Sequence, residues 1–95
     1  MMTVVNLEPK YHFIWDKVVF MVYHANKGEG HKKHHHPYAH GIDCFAGRIK
    51  VTKDNLSVEL TSDTEAVRLA EDEWHEIEAL EDNTIFVNVF TDGKY

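Results

Sequence analysis

Residues 28–47 read GEGHKKHHHPYAHGIDCFAG and hold five of the chain's eight histidines. His34 and His36 are separated by one residue, so on an extended strand both imidazoles leave the same face and His35 points away. Pro37 removes a backbone donor and pushes His36 toward extended geometry, against a helix that would pair His31 with His35 or His36 with His40. His40 opens an apolar run in which Ile42, Cys44 and Ala46 alternate with Asp43 and Phe45. A turn at Pro37 and Tyr38 that folds this run back as a neighbouring strand brings His40 to the first two imidazoles. Three neutral nitrogen donors on adjacent strands make a metal site. The same local spacing also suits a solvent-exposed histidine-rich loop that holds metal loosely.

A fourth histidine separates these readings. His75 lies in RLAEDEWHEIEAL (68–80), where Val67 and Leu69, then Ile77 and Leu80, mark extended segments around a polar turn. The chain thus runs Gly28, five residues, His34, one residue, His36, three residues, His40, six residues, Gly47. At every spacing this resembles the first motif of the cupin superfamily, with His40 where the family usually has glutamate. The second motif ends in a histidine with a proline and two glycines before it and an asparagine after. Here His75 has Ala70, Asp72, Thr64 and Ala79 at those places. The resemblance spans roughly residues 18–90, and HHHPYAH looks like the small four-histidine metal cupins. It implies an all-β double-stranded β-helix, the cupin jelly-roll barrel, with His34, His36, His40 and His75 as metal ligands at its mouth.

Composition sets the outer limits. Ninety-five residues make one domain, with 1–16 as an N-terminal strand region and 18–90 as the barrel. So short a chain buries only about 60–65% of its unfolded surface, and a metal or a partner subunit adds stability. Hydrophobic residues at 43% and aromatics at 12% supply a packed core and exclude disorder. A net charge of −6 with only two arginines, Arg48 and Arg68, argues against nucleic acid and anionic membranes. The single cysteine, Cys44, excludes an internal disulfide. No signal peptide or membrane span is evident, so the expected location is cytoplasmic.

Short strands fill the chain. Tyr11, Phe13 and Trp15 alternate with His12 and Ile14, with few polar residues on either face. That pattern predicts a strand covered on both sides, and the family resemblance favours one lying across a homodimer partner. KVVFMVYH (17–24) places Val18, Phe20, Val22 and His24 on one face and Val19, Met21 and Tyr23 on the other. His24 is thereby a candidate proton carrier near the metal, and equally a merely exposed strand-end residue. His31 is expected to face solvent. Gly47 permits a tight turn, Lys53 to Asn55 make a hairpin, and Leu56, Val58 and Leu60 share one face of the next strand. TIFVNVFT (84–91) is the last strong strand.

Four imidazoles leave a divalent ion its full charge, which favours anionic or enolate-forming substrates as added ligands. Octahedral coordination keeps two positions open, enough for a bidentate oxygen donor or for substrate and dioxygen together. Imidazole suits zinc, copper, iron and nickel, and the family also uses manganese. The expected function is a metal-dependent oxidoreductase, dioxygenase or isomerase acting on a small organic molecule. Its alternative is a binding module in which the metal completes the fold or senses a ligand. Tyr38 and His24 are the candidate catalytic groups. Tyr38, Glu73, Trp74 and Cys44 are candidates for the surroundings of the metal, with Cys44 read as inert packing.

Ligating histidines are deprotonated, and their ordinary pKa is about 6.5. Metal-supported stability is therefore present above that value and lost as the pH falls below roughly 6. Chelator and acid are expected to lower the melting temperature together, with little further effect of chelator at about pH 5, as thermal scans across pH with and without chelator will show.

Overall fold

The computed structural model describes residues 7–35, 39–54 and 56–90. His36, Pro37 and Tyr38 lie outside that range, and so does Asn55. Period-two alternation of β-branched and aromatic side chains resolves into strands β1 (Tyr11–Trp15), β2 (Val18–Ala25), β3 (Gly30–His34), β4 (His40–Ala46), β5 (Ile49–Lys53), β6 (Leu56–Leu60), β7 (Val67–Leu69), β8 (His75–Ala79) and β9 (Thr84–Phe90). Among the described residues there is no helix. The strands form a five-stranded sheet in the order β1-β2-β9-β4-β7 and a four-stranded sheet in the order β3-β8-β5-β6, antiparallel throughout.

The two sheets close face to face over one core. Tyr23, Ile42, Cys44, Leu69 and Phe86 come from the first sheet; Ile49, Val51, Leu60, Ile77 and Ala79 come from the second. Each large aliphatic or aromatic side chain fully buried there contributes about 1.5–3 kcal/mol. Leu60 is the buried member of β6, whereas Leu56 and Val58 stay exposed on this edge strand.

Two sequence expectations are corrected. β3 and β4 are not neighbours: β3 pairs with β8, and β4 sits between β9 and β7 in the other sheet. The histidines at their ends therefore meet across the barrel rather than side by side. The second correction concerns β1, which is not an inner strand of the barrel: within the single chain its five residues are all exposed. It hangs on the edge of the larger sheet through β2 alone, beyond the reach of the smaller sheet.

Turns hold the strands in register. Asp16 and Lys17 both take left-handed backbone angles, φ 51° and 67°, so β1 and β2 join through a two-residue loop whose twist matches that of the strands. Gly30 is required for a different reason: a Cβ there would meet the Ile77 carbonyl, with the carbonyl carbon at 2.8 Å. β3 thus lies close against β8 only because residue 30 has no side chain. Gly30→Ala is expected to cost about 2–4 kcal/mol by forcing the strands apart, read as a lower urea midpoint at unchanged m-value.

Candidate metal centre

The end of β3 sets the site. His31 lies opposite Ile77 and His34 opposite His75, so three steps along β3 match two along β8. The extra residue is a bulge, and it places His31 and His34 on the same inward face although an odd spacing would put them on opposite faces. His31 consequently does not face solvent. It is 8% exposed, edge-on to Tyr23 at 4.6 Å and to Phe86 at 5.8 Å between ring centroids. The sequence trace of the bulge is the doublet Lys32-Lys33, both exposed, where a regular strand would bury one.

Backbone carbonyls fix the tautomers of the paired rings. His75 Nδ1 lies 2.9 Å from the Glu73 carbonyl oxygen, and His34 Nδ1 lies 2.6 Å from that of Lys32. A carbonyl only accepts, so each Nδ1 carries the hydrogen and each Nε2 keeps its lone pair, the form in which imidazole binds a metal. In both cases the acceptor is two residues upstream, so the ring is oriented by its own strand's backbone. The His34 and His75 centroids are 4.3 Å apart. His40, reaching in from β4 of the opposite sheet, is 5.4 Å from His75 and stacks on Phe90 at 4.7 Å. Two imidazoles sharing one ion through nitrogens at about 2.1 Å have centroids roughly 4.5–5.5 Å apart. The described histidines make a close pair with a flanking third. Among the described residues no group of three donors is already closed around one point. His36, the remaining expected ligand, lies outside those residues.

No known family profile and no curated relative matches the sequence. Solved structures do. The chain is similar to a conserved protein with a double-stranded β-helix domain from Klebsiella pneumoniae subsp. pneumoniae, at 20% identity and TM-score 0.72, covering 98% of this chain and 84% of that one. It is also similar to a cupin 2 domain-containing protein from Halorhodospira halophila, at 18% identity and TM-score 0.74, covering 90% and 65%. The chain folds as a cupin. A third similarity is to the oxalate decarboxylase of Bacillus subtilis, at 21% identity and TM-score 0.72, covering 83% of this chain but only 22% of that one. At such identities the likeness speaks for the fold.

Within this cupin barrel the other expected site residues separate. His24 is exposed on β2 and pairs in register with Ile85, on the outer face of the larger sheet. Tyr23 and Ala25 point inward instead, so His24 is turned away from the histidine cluster and is not a proton carrier for it. Trp74 precedes His75 and takes the opposite parity. It is 45% exposed, packs against His35 at 4.2 Å and lies under the Lys33 ammonium, so it does not wall the interior. His35 points outward as expected, toward Asp72. Cys44 is buried and its Sγ–H donates to the Ala46 carbonyl; burial pushes the thiol pKa up, which fits an inert packing residue.

Glu73 acts through its main chain and its side chain together. Its carbonyl orients His75, while its carboxylate accepts from the Ala70 amide at 2.9 Å and pairs with Lys53 at 3.6 Å. The Ala70 amide above all, and then the Lys53 ammonium, hold this carboxyl below the ordinary range. The turn before His75 is thus tied down without the glycines and proline of the usual second motif.

Two interior polar atoms were not visible in the sequence. Asn88 points inward from β9, between Phe86 and Phe90 on the same face, and its buried Oδ1 has no hydrogen-bond partner among the described residues. His31 donates its Nε2–H to the Leu7 carbonyl at 3.4 Å, leaving a buried Nδ1 likewise without a partner among the described residues.

Burial is the main reason that the His31 pKa falls from 6.5 to about 4; the neighbouring His34 and His75 lower it further, against the Leu7 hydrogen bond. The unfolded chain binds this proton near 6.5 and the folded chain near 4, so stability is present above pH 6.5 and is lost as the pH falls toward 4. The loss is on the order of 3 kcal/mol at about 1.4 kcal/mol per unit. In metal-stripped protein, His31→Phe is expected to flatten that part of the stability curve, as chemical denaturation at intervals between pH 7 and 4 will measure.

Proposed function

We propose that the chain is a small metal-dependent cupin that oxidises or isomerises a small organic molecule, with His34, His36, His40 and His75 holding one divalent transition metal. The observation that carries this reading is the His34–His75 pair, whose rings lie 4.3 Å apart at facing strand positions, each with its Nδ1–H held by a main-chain carbonyl, the tautomer in which imidazole binds a metal through Nε2. His40 adds a donor from the other sheet, and His36 belongs to the set by its spacing from His34. The Bacillus subtilis oxalate decarboxylase has Mn(II) centres. Manganese is accordingly a leading candidate here beside iron, copper, nickel and zinc.

When bound, the ion supplies Lewis-acid chemistry and, for manganese, iron or copper, redox chemistry. The protein does the rest. Phe86, Phe90 and Ile77 exclude water from the inner face around the histidines. Asn88 Oδ1 offers one acceptor to a hydroxyl or amine of the substrate, fixing its orientation. Tyr38, two residues before His40 and two after His36 in the sequence, is the proposed proton-carrying group.

A second reading, a binding module without turnover, is supported by the apolar character of that inner face. Apart from the histidines, Asn88, Tyr23, Thr84 and Cys44, the buried side chains described there are aliphatic or phenylalanine. Elemental analysis of untagged protein purified without added metal distinguishes the two. About one equivalent of manganese, iron or copper is expected, with dioxygen uptake on enolisable acids, diketones or phenols; stoichiometric zinc supports the binding reading. His75→Ala is expected to lower metal retention at least tenfold, while His35→Ala leaves it within twofold. Protein that takes up no metal on reconstitution sinks the site.

A further inference from the structure

Rings inside the barrel form a circuit of contacts. Between centroids, Phe86 is 5.8 Å from His31, His31 is 6.1 Å from His34, His34 is 4.3 Å from His75, His75 is 5.4 Å from His40 and His40 is 4.7 Å from Phe90. Asn88 completes the circuit, since on the inward face of β9 it stands between Phe86 and Phe90. The buried polar side chains are thus His31, His40, His75 and Asn88 of this group, together with Thr84. Thr84 is already satisfied: its hydroxyl donates to the Glu81 carbonyl at 2.7 Å and accepts from the Arg48 amide.

Once His40 and His75 are assigned to an ion, two buried atoms are left over. They are Asn88 Oδ1 and His31 Nδ1, each without a hydrogen-bond partner among the described residues. Both are acceptors, because His31 has given its Nε2–H to the Leu7 carbonyl and a carboxamide oxygen has only lone pairs. We infer, resting on the reading of His34, His36, His40 and His75 as a metal centre, that the molecule bound here is a small vicinal diol or polyol. One of its oxygens meets the ion, and neutral hydroxyls at its other end donate to Asn88 Oδ1 and His31 Nδ1.

Charge of either sign is disfavoured at that second end. A second carboxylate sets lone pairs against lone pairs, and no cation is placed to receive it. Among the described residues no lysine or arginine is buried. The Lys53 ammonium is engaged by the Glu73 carboxylate and the Arg68 carbonyl, and Lys33 lies over the half-exposed Trp74. An ammonium group satisfies the acceptors but lies beside a divalent ion whose charge four neutral imidazoles leave undiminished, and like charges repel strongly in a low-dielectric interior. A hydroxyl avoids both conflicts. A methyl group in its place leaves the two acceptors unmet, which is how a hydrogen-bonding site rejects an analogue that lacks the hydroxyl.

Isothermal titration of the zinc-loaded whole chain tests the inference, with zinc content and circular dichroism measured on the same samples. Zinc is redox-inactive, so the probes are bound without being oxidised. The probes are 3,4-dihydroxybutyrate, butyrate and succinate, which share a carboxylate for the ion and differ at the far end. Wild type is expected to bind the dihydroxy acid at least about tenfold tighter than butyrate, and succinate no tighter than butyrate. Asn88→Leu, an apolar side chain of similar bulk, is expected to bring the ratio of dihydroxybutyrate to butyrate affinity within about threefold of one, and His31→Phe to lower it about threefold. Comparing variants on one probe pair removes any preference that comes from chelation at the ion alone. A zinc-loaded wild type without the preference, a preference untouched by both substitutions, or succinate bound tighter than dihydroxybutyrate would each overturn the inference and leave the metal centre standing. Samples that hold no zinc overturn the metal centre, and the inference with it.

Discussion

The pairing of β3 with β8 across a bulge is the constraint on which the site depends. It sets His34 directly opposite His75 and turns both rings to the interior. Hydrogen bonds from each Nδ1 to a main-chain carbonyl then make ring orientation a property of the backbone. Such pinning matters in a barrel this small, where the site lies at the edge of the core and few neighbouring side chains are available to hold a ring. Gly30 lets the two strands approach, and Leu7 ties the N-terminal segment to the same strand through hydrogen bonds with Gly30 and His31. The histidine-bearing strand β3 and the N-terminal lead are therefore mechanically one unit.

From that pairing the rest of the barrel divides its labour. The smaller sheet carries the histidine pair and a charged exterior; the larger sheet carries His40, the aromatic wall and an apolar exterior. The core between them is continuous but thin, as the length of the chain requires. Stability is gathered from close-packed aliphatics and from tied turns such as Ala70–Glu73. An ion shared between His75 and His40 would also join the two sheets to each other, a cross-link made by coordination rather than by sulfur.

Much of this was legible in the sequence because strand period and turn chemistry are local. The alternation in residues 40–46 and 84–90 gives the inward faces of β4 and β9, and the spacing from Gly28 to Gly47 gives the fold family and the histidines. What stayed hidden was non-local or hung on parity. Strand β2 is apolar on both sides, so nothing in its pattern says whether Tyr23 or His24 faces the core. Only pairing with β9 decides it. Likewise no periodicity reveals that β3 and β4 belong to different sheets. The burial of His31 follows from a single inserted residue, whose one trace is a pair of adjacent lysines. Trp74, by contrast, was readable: once His75 points in, its neighbour on an extended chain points out.

Asn88 has a wider meaning for a protein of this size. A carboxamide oxygen buried between two phenylalanines, without a hydrogen bond among the described residues, is a standing debt in the resting fold. A leucine of similar bulk would pack there at no such loss. The barrel therefore keeps in its interior a position that gives up resting stability. Under the proposed function, a molecule whose hydroxyl or amine reaches that oxygen would recover the missing hydrogen bond and with it some of that stability.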